Sequence, residues 1–307
     1  MTTHLNSPSD WRGIWTALVT PLNSDLSLDS KSLENLVENQ IQSQVTGLVL
    51  AGSTGEGSLL GQENYALLLK KTKSIVGSKI PLVAGVGIGG THTAVERAKL
   101  ALECGMAGVL ASPPAYIRPT QKGLEEHFLQ IANVGLPVCL YEIPSRAAQT
   151  IQIQTIESLL KNSHPAAKKI VALKDASADL QRAGIIAAKA GPSLAMLSGD
   201  DGTFVPFLAT GGSGIISVVS HFVAPVLKKA LEFFEGGKLQ QAQKFQNDLF
   251  GVIDACFAES NPIPAKAFLK GLGIIKDDIL NPPLTKMEPR NFEKHFPVIK
   301  NFSVRSF

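Results

Sequence analysis

The chain has 307 residues, of which 18% are charged and 44% hydrophobic, with a formal net charge of +3. That balance supports one large folded core and excludes a disordered polypeptide. Neither sign of charge forms a long block, which argues against a dedicated nucleic-acid or membrane-surface binder.

Met1 to Asp10 contain neither a basic nor an apolar leader region, so no secretory signal is expected. Elsewhere polar residues interrupt each apolar run well before the roughly 20 residues of a membrane span. The expected location is the cytoplasm. The three cysteines, Cys104, Cys139 and Cys256, are far apart and lack metal-binding spacing. They are expected to be buried free thiols rather than disulfides or zinc ligands.

After an N-terminal tail (residues 1–11), short apolar runs rich in β-branched residues recur at 14–20, 46–51, 81–86, 107–112, 137–143, 169–174, 194–198 and 214–219. Near-continuous apolarity over so few residues is what a parallel strand covered on both faces requires. Segments with helical spacing lie between them, among them 32–43, 64–76, 93–104 and 122–134. Eight strand–helix units predict a (β/α)8 barrel, the TIM-barrel fold, over residues 12–224. A doubly wound open sheet would carry a glycine-rich turn after its first strand, where this chain has Thr20-Pro21-Leu22-Asn23. Beyond residue 225 the pattern becomes helices without strands, at 225–235, 238–257 and 264–272, which predicts a C-terminal helical region over 225–307.

Barrel enzymes place their chemistry where the strands end. Read that way, Gly52-Ser53-Thr54-Gly55-Glu56 follows strand 2, Tyr116 follows strand 4, Tyr141 and Arg146 follow strand 5, Lys174-Asp175 closes strand 6, and Ser198-Gly199-Asp200-Asp201 closes strand 7. No histidine precedes His221 at a strand end, which disfavours metal catalysis. Lys174 either points outward and marks the strand's end, or points into the barrel mouth. Apolar walls disfavour an ammonium, so an amine placed there can attack a ketone and form an imine. Tyr141 is either a core aromatic or a proton carrier for that step. Ser53 and Thr54 lie in a turn that can cradle a carboxylate or be an ordinary tight loop. Arg146 can clamp a carboxylate or make a surface ion pair.

Taken together, eight segments make a family resemblance. They are Ala17-Leu18-Val19-Thr20-Pro21, Gly52 to Glu56, Tyr116 with Arg118-Pro119, Tyr141 to Pro144, Leu173-Lys174, Ser198-Gly199-Asp200-Asp201, Gly211 to Val218, and Asn261-Pro262-Ile263-Pro264. In this order the chain resembles the dihydrodipicolinate synthase and N-acetylneuraminate lyase family across about residues 12–290. The resemblance implies that Lys174 forms a Schiff base with pyruvate or a pyruvate-derived 2-oxo acid, with no other cofactor and no metal. It implies that Tyr141 carries protons through Ser53 to Tyr116, that Ser53 and Thr54 hold the pyruvate carboxylate, and that Ile216 contributes backbone near the imine. Tyr116 would reach a neighbouring subunit, so a homo-oligomer, dimer or tetramer, is expected.

Pro144-Ser145-Arg146 is similar to the synthase branch, in which the matching arginine receives the carboxylate of aspartate semialdehyde. The implied reaction condenses pyruvate with L-aspartate 4-semialdehyde to 4-hydroxy-tetrahydrodipicolinate, in lysine and diaminopimelate biosynthesis. The alternatives are cleavage of a sialic or 2-oxo-3-deoxy sugar acid, and a catalytically silent scaffold or small-acid sensor. Ser53, Glu142 and Ala147-Ala148 depart from the family's usual Thr, Asn and Thr-Gly, and bear on the choice of aldehyde: Glu142 would set a negative charge beside Tyr141 and keeps the sugar-acid alternative open, whereas Arg146 argues against it. Gln62, Tyr65, Gly89 and Ala115 replace the polar residues of lysine-inhibited relatives, which implies weak or absent lysine feedback.

Overall fold

The computed structural model describes residues 4–303; residues 1–3 of the expected tail and 304–307 of the C-terminal region lie outside the described residues. Eight parallel strands form a closed barrel: β1 (Gly13–Ala17), β2 (Gly47–Leu50), β3 (Leu82–Gly85), β4 (Gly108–Ala111), β5 (Val138–Glu142), β6 (Ile170–Asp175), β7 (Ala195–Ser198) and β8 (Gly214–Ser217). Each lies within or nearly within a predicted apolar run, and β8 pairs with β1 to close the ring. The helices between them are α1 (Ser30–Gln42), α2 (Gln62–Val76), α3 (Thr91–Glu103), α4 (Gln121–Ala132), α5 (Pro144–Ala147), α6 (Ile153–Lys161), α7 (Leu180–Ala190) and α8 (Phe204–Ala209). Helix α1 starts two residues earlier than its apolar spacing suggests, because Asp29 accepts the Lys31 and Ser32 amides as its N-cap.

Alternation along the strands sorts two cores. Leu48, Leu50, Val109, Leu140, Leu173 and Ile215 face the helix layer, while Trp15, Val49, Leu110, Cys139, Tyr141 and Ile216 fill the barrel interior. One irregularity matters for function. The β5–β6 register moves from Val138 opposite Ile170 to Cys139 opposite Ala172, so β6 carries one extra residue. Beyond this bulge Tyr141 pairs with Lys174 and Glu142 with Asp175. An unbroken register would set Leu173 beside Tyr141 instead.

The N-terminal segment is more than a tail. A short 3-10 helix, Pro8–Trp11, brings Trp11 against Trp15 with ring centres 5.3 Å apart. Trp11 Nε1 donates to the Leu5 carbonyl and Trp15 Nε1 to the Trp11 carbonyl. Leu5, Trp11 and Trp15 are all buried and close the lower end of the barrel. Space for the indoles comes from Gly47, where an added Cβ would lie 2.3 Å from the Trp15 ring.

After β8 the chain continues as α9 (Ser220–Glu235), α10 (Leu239–Cys256), α11 (Ile263–Gly271) and α12 (Pro289–Ser303). Pro225 looks like a helix start in sequence, yet α9 begins at Ser220 and is kinked at Val223, so the predicted boundary at 224/225 falls inside one helix. Phe268 of α11 packs against Phe292 and Phe296 of α12 and against Phe222 of α9, joining the last helices to the barrel wall. The three cysteines are buried and unpaired. Among the described residues no helix is long and apolar enough to cross a membrane.

Because Trp11 is fully buried at the barrel floor, Trp11→Ala is expected to destabilise the fold by about 3–5 kcal/mol. Urea unfolding would check this, and a loss below about 1 kcal/mol would show that the N-terminal segment is not part of the core.

Candidate active site

Parity past the β6 bulge turns Lys174 into the barrel. It is only 5% exposed, and its Nζ lies 4.3 Å from the centre of the Tyr141 ring, itself 7% exposed. The outward reading of Lys174 is thereby excluded. This contact with the ring face holds the amine close to the phenol-bearing side chain. Gly199, at the end of β7, leaves room for the lysine: a Cβ there would sit 2.9 Å from Lys174 Cε and 2.7 Å from Ala176 Cβ.

The loop after β2 forms the opposite wall. Ser53 and Tyr141 line one open recess with Gly52, Ser58, Gly85 and Leu110. Thr54 is buried and its Oγ1 accepts a hydrogen bond from Asn261 Nδ2 at 2.9 Å. Glu56 anchors the same loop: its Oε1 is 2.5 Å from Lys266 Nζ, and its Oε2 accepts the Asn281 amide and side-chain N–H. Both side chains of this ion pair are 0% exposed. Desolvation holds the Lys266 ammonium below its ordinary pKa, while Glu56 acts in the opposite direction. The C-terminal helices therefore hold the Ser53–Thr54 turn in place.

The remaining predicted residues are distributed unevenly. Ile216 is buried in the barrel interior with Tyr141. Arg146 is exposed on the single turn of α5, and its Nη2 donates to the Asn261 carbonyl at 2.8 Å. The next position that departs from the family pattern, Ala148, caps this turn at φ +52°, a conformation glycine adopts without strain. Tyr116 is not brought to the recess: it stands 97% exposed on the loop after β4, beside Ile117 at 57%. Gly199 stands in the segment that closes β7 and Asn261 in the last resembling segment, whereas no motif marks Lys266. They contribute space, a backbone carbonyl and a buried cation rather than chemistry at a strand end.

Glu142 does not bring negative charge to Tyr141, contrary to the sequence reading. It is the outward neighbour of Tyr141, and its Oε2 accepts the Ile151 amide at 2.8 Å and lies 3.6 Å from Arg182 Nη2. Burial pushes the carboxyl up to about 7, against the opposing pull of Arg182 and the Ile151 amide. His221 and Asp201 are likewise shifted by burial but serve the scaffold. His221 is pushed down to about 4 and accepts the Val19 amide, and Asp201 accepts the Ser217 hydroxyl and the Val218 amide at the start of α9.

The Glu142 shift has a pH signature. The folded protein binds this proton more tightly than the unfolded chain, so its contribution to stability is complete below about 4.5 and is lost as pH rises through about 7. Glu142→Gln removes the titration. The difference in unfolding free energy between variant and wild type, measured by urea unfolding, should move in the variant's favour between pH 5 and pH 8, by up to roughly 3 kcal/mol. A difference that stays constant with pH would rule this out.

Comparison with known proteins matches the chain over nearly its whole length. Residues 10–301 match the Dihydrodipicolinate synthetase family. A 4-hydroxy-tetrahydrodipicolinate synthase of Rickettsia bellii is 36% identical over 296 residues, spanning 96% of this chain and 98% of the relative. That of Magnetococcus marinus is 35% identical over 292 residues, spanning 94% of this chain and 98% of the relative. The crystal structure of the chloride-inhibited dihydrodipicolinate synthase of Acinetobacter baumannii, complexed with pyruvate, superposes with a TM-score of 0.90 at 32% identity, covering 96% of this chain and 99% of that one. A closed barrel with an enclosed lysine, matched over nearly its whole length, places the chain in the dihydrodipicolinate synthetase family.

Proposed function

We propose that the protein condenses pyruvate with L-aspartate 4-semialdehyde to 4-hydroxy-tetrahydrodipicolinate, in lysine and diaminopimelate biosynthesis, through an imine on Lys174. The observation that carries this reading is the Lys174 amine enclosed in the barrel 4.3 Å from the Tyr141 ring. Attack of the amine on C2 of pyruvate and loss of water give an iminium. Loss of a C3 proton gives the enamine, whose C3 then bonds to the aldehyde carbon while the aldehyde oxygen takes up a proton; the amine of the aspartate semialdehyde then attacks C2, closing the ring and releasing the Lys174 amine. The Tyr141 phenol carries protons for these steps, with Ser53 and the Tyr116 hydroxyl from a second copy completing the relay. No cofactor is required, because the iminium is itself the electron sink.

Asn261 Nδ2 donates to Thr54 Oγ1, which leaves the Thr54 hydroxyl hydrogen free to point at the pyruvate carboxylate beside Ser53. Ile216 supplies backbone near the imine. Arg146 exchanges the Asn261 carbonyl for the carboxylate of the aldehyde, a charged partner it can grip bidentately. Exposed Tyr116 and Ile117 support assembly with further copies, a dimer or homotetramer, working in the cytoplasm. The sugar-acid alternative drew its support from Glu142, and that side chain is committed to Ile151 and Arg182 on the far side of the strand.

Borohydride reduction in the presence of pyruvate is expected to leave an adduct on Lys174 by mass spectrometry. Lys174→Ala should lose the adduct and at least about 10³-fold in kcat. Absence of an adduct on the wild type would favour the silent-barrel reading. Turnover of a sugar acid, without turnover of aspartate semialdehyde in a coupled assay, would overturn the synthase assignment.

Lysine feedback should be weak or absent. At the positions in question Tyr65 is buried beneath the Arg97 guanidinium, and Gln62, Gly89 and Ala115 bring no charge. A clear fall in rate at low-millimolar lysine would contradict this.

A further inference from the structure

One residue beyond Tyr141 and Lys174, a second pair faces the opposite way. Glu142 lies opposite Asp175, and the two carboxyl side chains, 0% and 2% exposed, look into the helix layer. Two acidic groups on adjacent strands repel each other unless a cation stands with them. Here that cation is Arg182 of α7, only 10% exposed. Its Nη1 donates to Asp175 Oδ2 at 2.8 Å, and its Nη2 donates to the Ile151 carbonyl at 2.7 Å while lying 3.6 Å from Glu142 Oε2. Asp175 is fixed further by the Ser177 amide, and Glu142 by the Ile151 amide. The guanidinium thus ties β5, β6 and the segment entering α6 together, directly behind the inward-facing Tyr141 and Lys174.

We propose that Arg182 is a positioning residue for the chemistry of Lys174, and that the charge on Glu142 sets how firmly Arg182 ties β5 to β6. The proposal rests on the imine reading given above. The charged groups facing Glu142 are Arg182 from α7 and Asp175 from β6; Thr150 and Ile151, entering α6, are neutral. With Glu142 ionised, Arg182 is held by two carboxylates and a carbonyl. With Glu142 protonated, it keeps only Asp175 and the Ile151 carbonyl, and the spacing between Tyr141 and Lys174 is less tightly fixed. Small losses of alignment at a reacting amine lower the chemical step more than substrate binding.

The test follows borohydride trapping of pyruvate on Lys174, together with kcat and the pyruvate KM, at pH 6 and pH 8. It compares the wild type with Arg182→Met, Arg182→Lys and Glu142→Gln. Arg182→Met should slow trapping and lower kcat by about 10- to 100-fold. Arg182→Lys should restore part of that loss. The pyruvate KM should move less than about threefold, because the carboxylate-holding turn belongs to β2. Glu142→Gln should fall below the wild type at pH 8 and show a smaller rise between pH 6 and pH 8.

Wild-type trapping rates in Arg182→Met, or an undiminished pH rise in Glu142→Gln, overturns the proposal and leaves the imine reading intact. If Arg182→Met does not fold, the near-isosteric Glu142→Gln decides alone. A wild type that traps no pyruvate refutes the imine reading itself, and this proposal with it.

Discussion

Closing a parallel sheet into a ring leaves each strand residue two destinations, the barrel interior or the layer beneath the helices, and neighbours in the chain take opposite ones. The active centre depends on that parity at one place. The extra residue in β6 shifts its register against β5, so Lys174 meets Tyr141 inside while Asp175 meets Glu142 outside. The same step of the backbone separates the groups suited to forming an imine from the buried charges behind them. Trp15 and Gly47 at the floor and Gly199 at the mouth then decide how much of the interior is filled and how much is left for the Lys174 side chain.

A second constraint runs across the chain from its last third. Lys266 of α11 reaches Glu56 in the loop after β2, where neither charge meets water. Removing one partner of such a pair strands the other charge in a dry environment, at a cost of about 3–5 kcal/mol. Asn261 adds two more links, one to Thr54 and one to Arg146. Helices that read in sequence as an appendage are thus the support for the loop that would hold a substrate carboxylate, so the region cannot be understood as a separate unit.

Several residues change meaning once they are placed. Glu142, a departure that in sequence threatened the environment of Tyr141, stands behind the strand with Arg182. Ala147-Ala148 leaves α5 intact, with Ala147 buried and Ala148 accepting a left-handed turn. Tyr116 points away from the recess of its own chain. It stands exposed beside Ile117 on the loop after β4.

The barrel itself was legible in the sequence, since eight short apolar runs separated by helical spacing leave few ways to bury two-faced strands. The candidate lysine and its neighbours were legible too, because barrel function gathers at strand ends and these residues stand in fixed order along the chain. What the sequence could not contain was direction. A single extra residue reverses the side of every position after it, and no pattern of apolar letters distinguishes Leu173 facing inward from Lys174 facing inward. The partners of Glu142, Glu56 and Arg146 lie 40, 210 and 115 residues away. Contacts at that separation are made by the closure of the ring and the packing of the last helices over it, and only the tertiary structure could decide them.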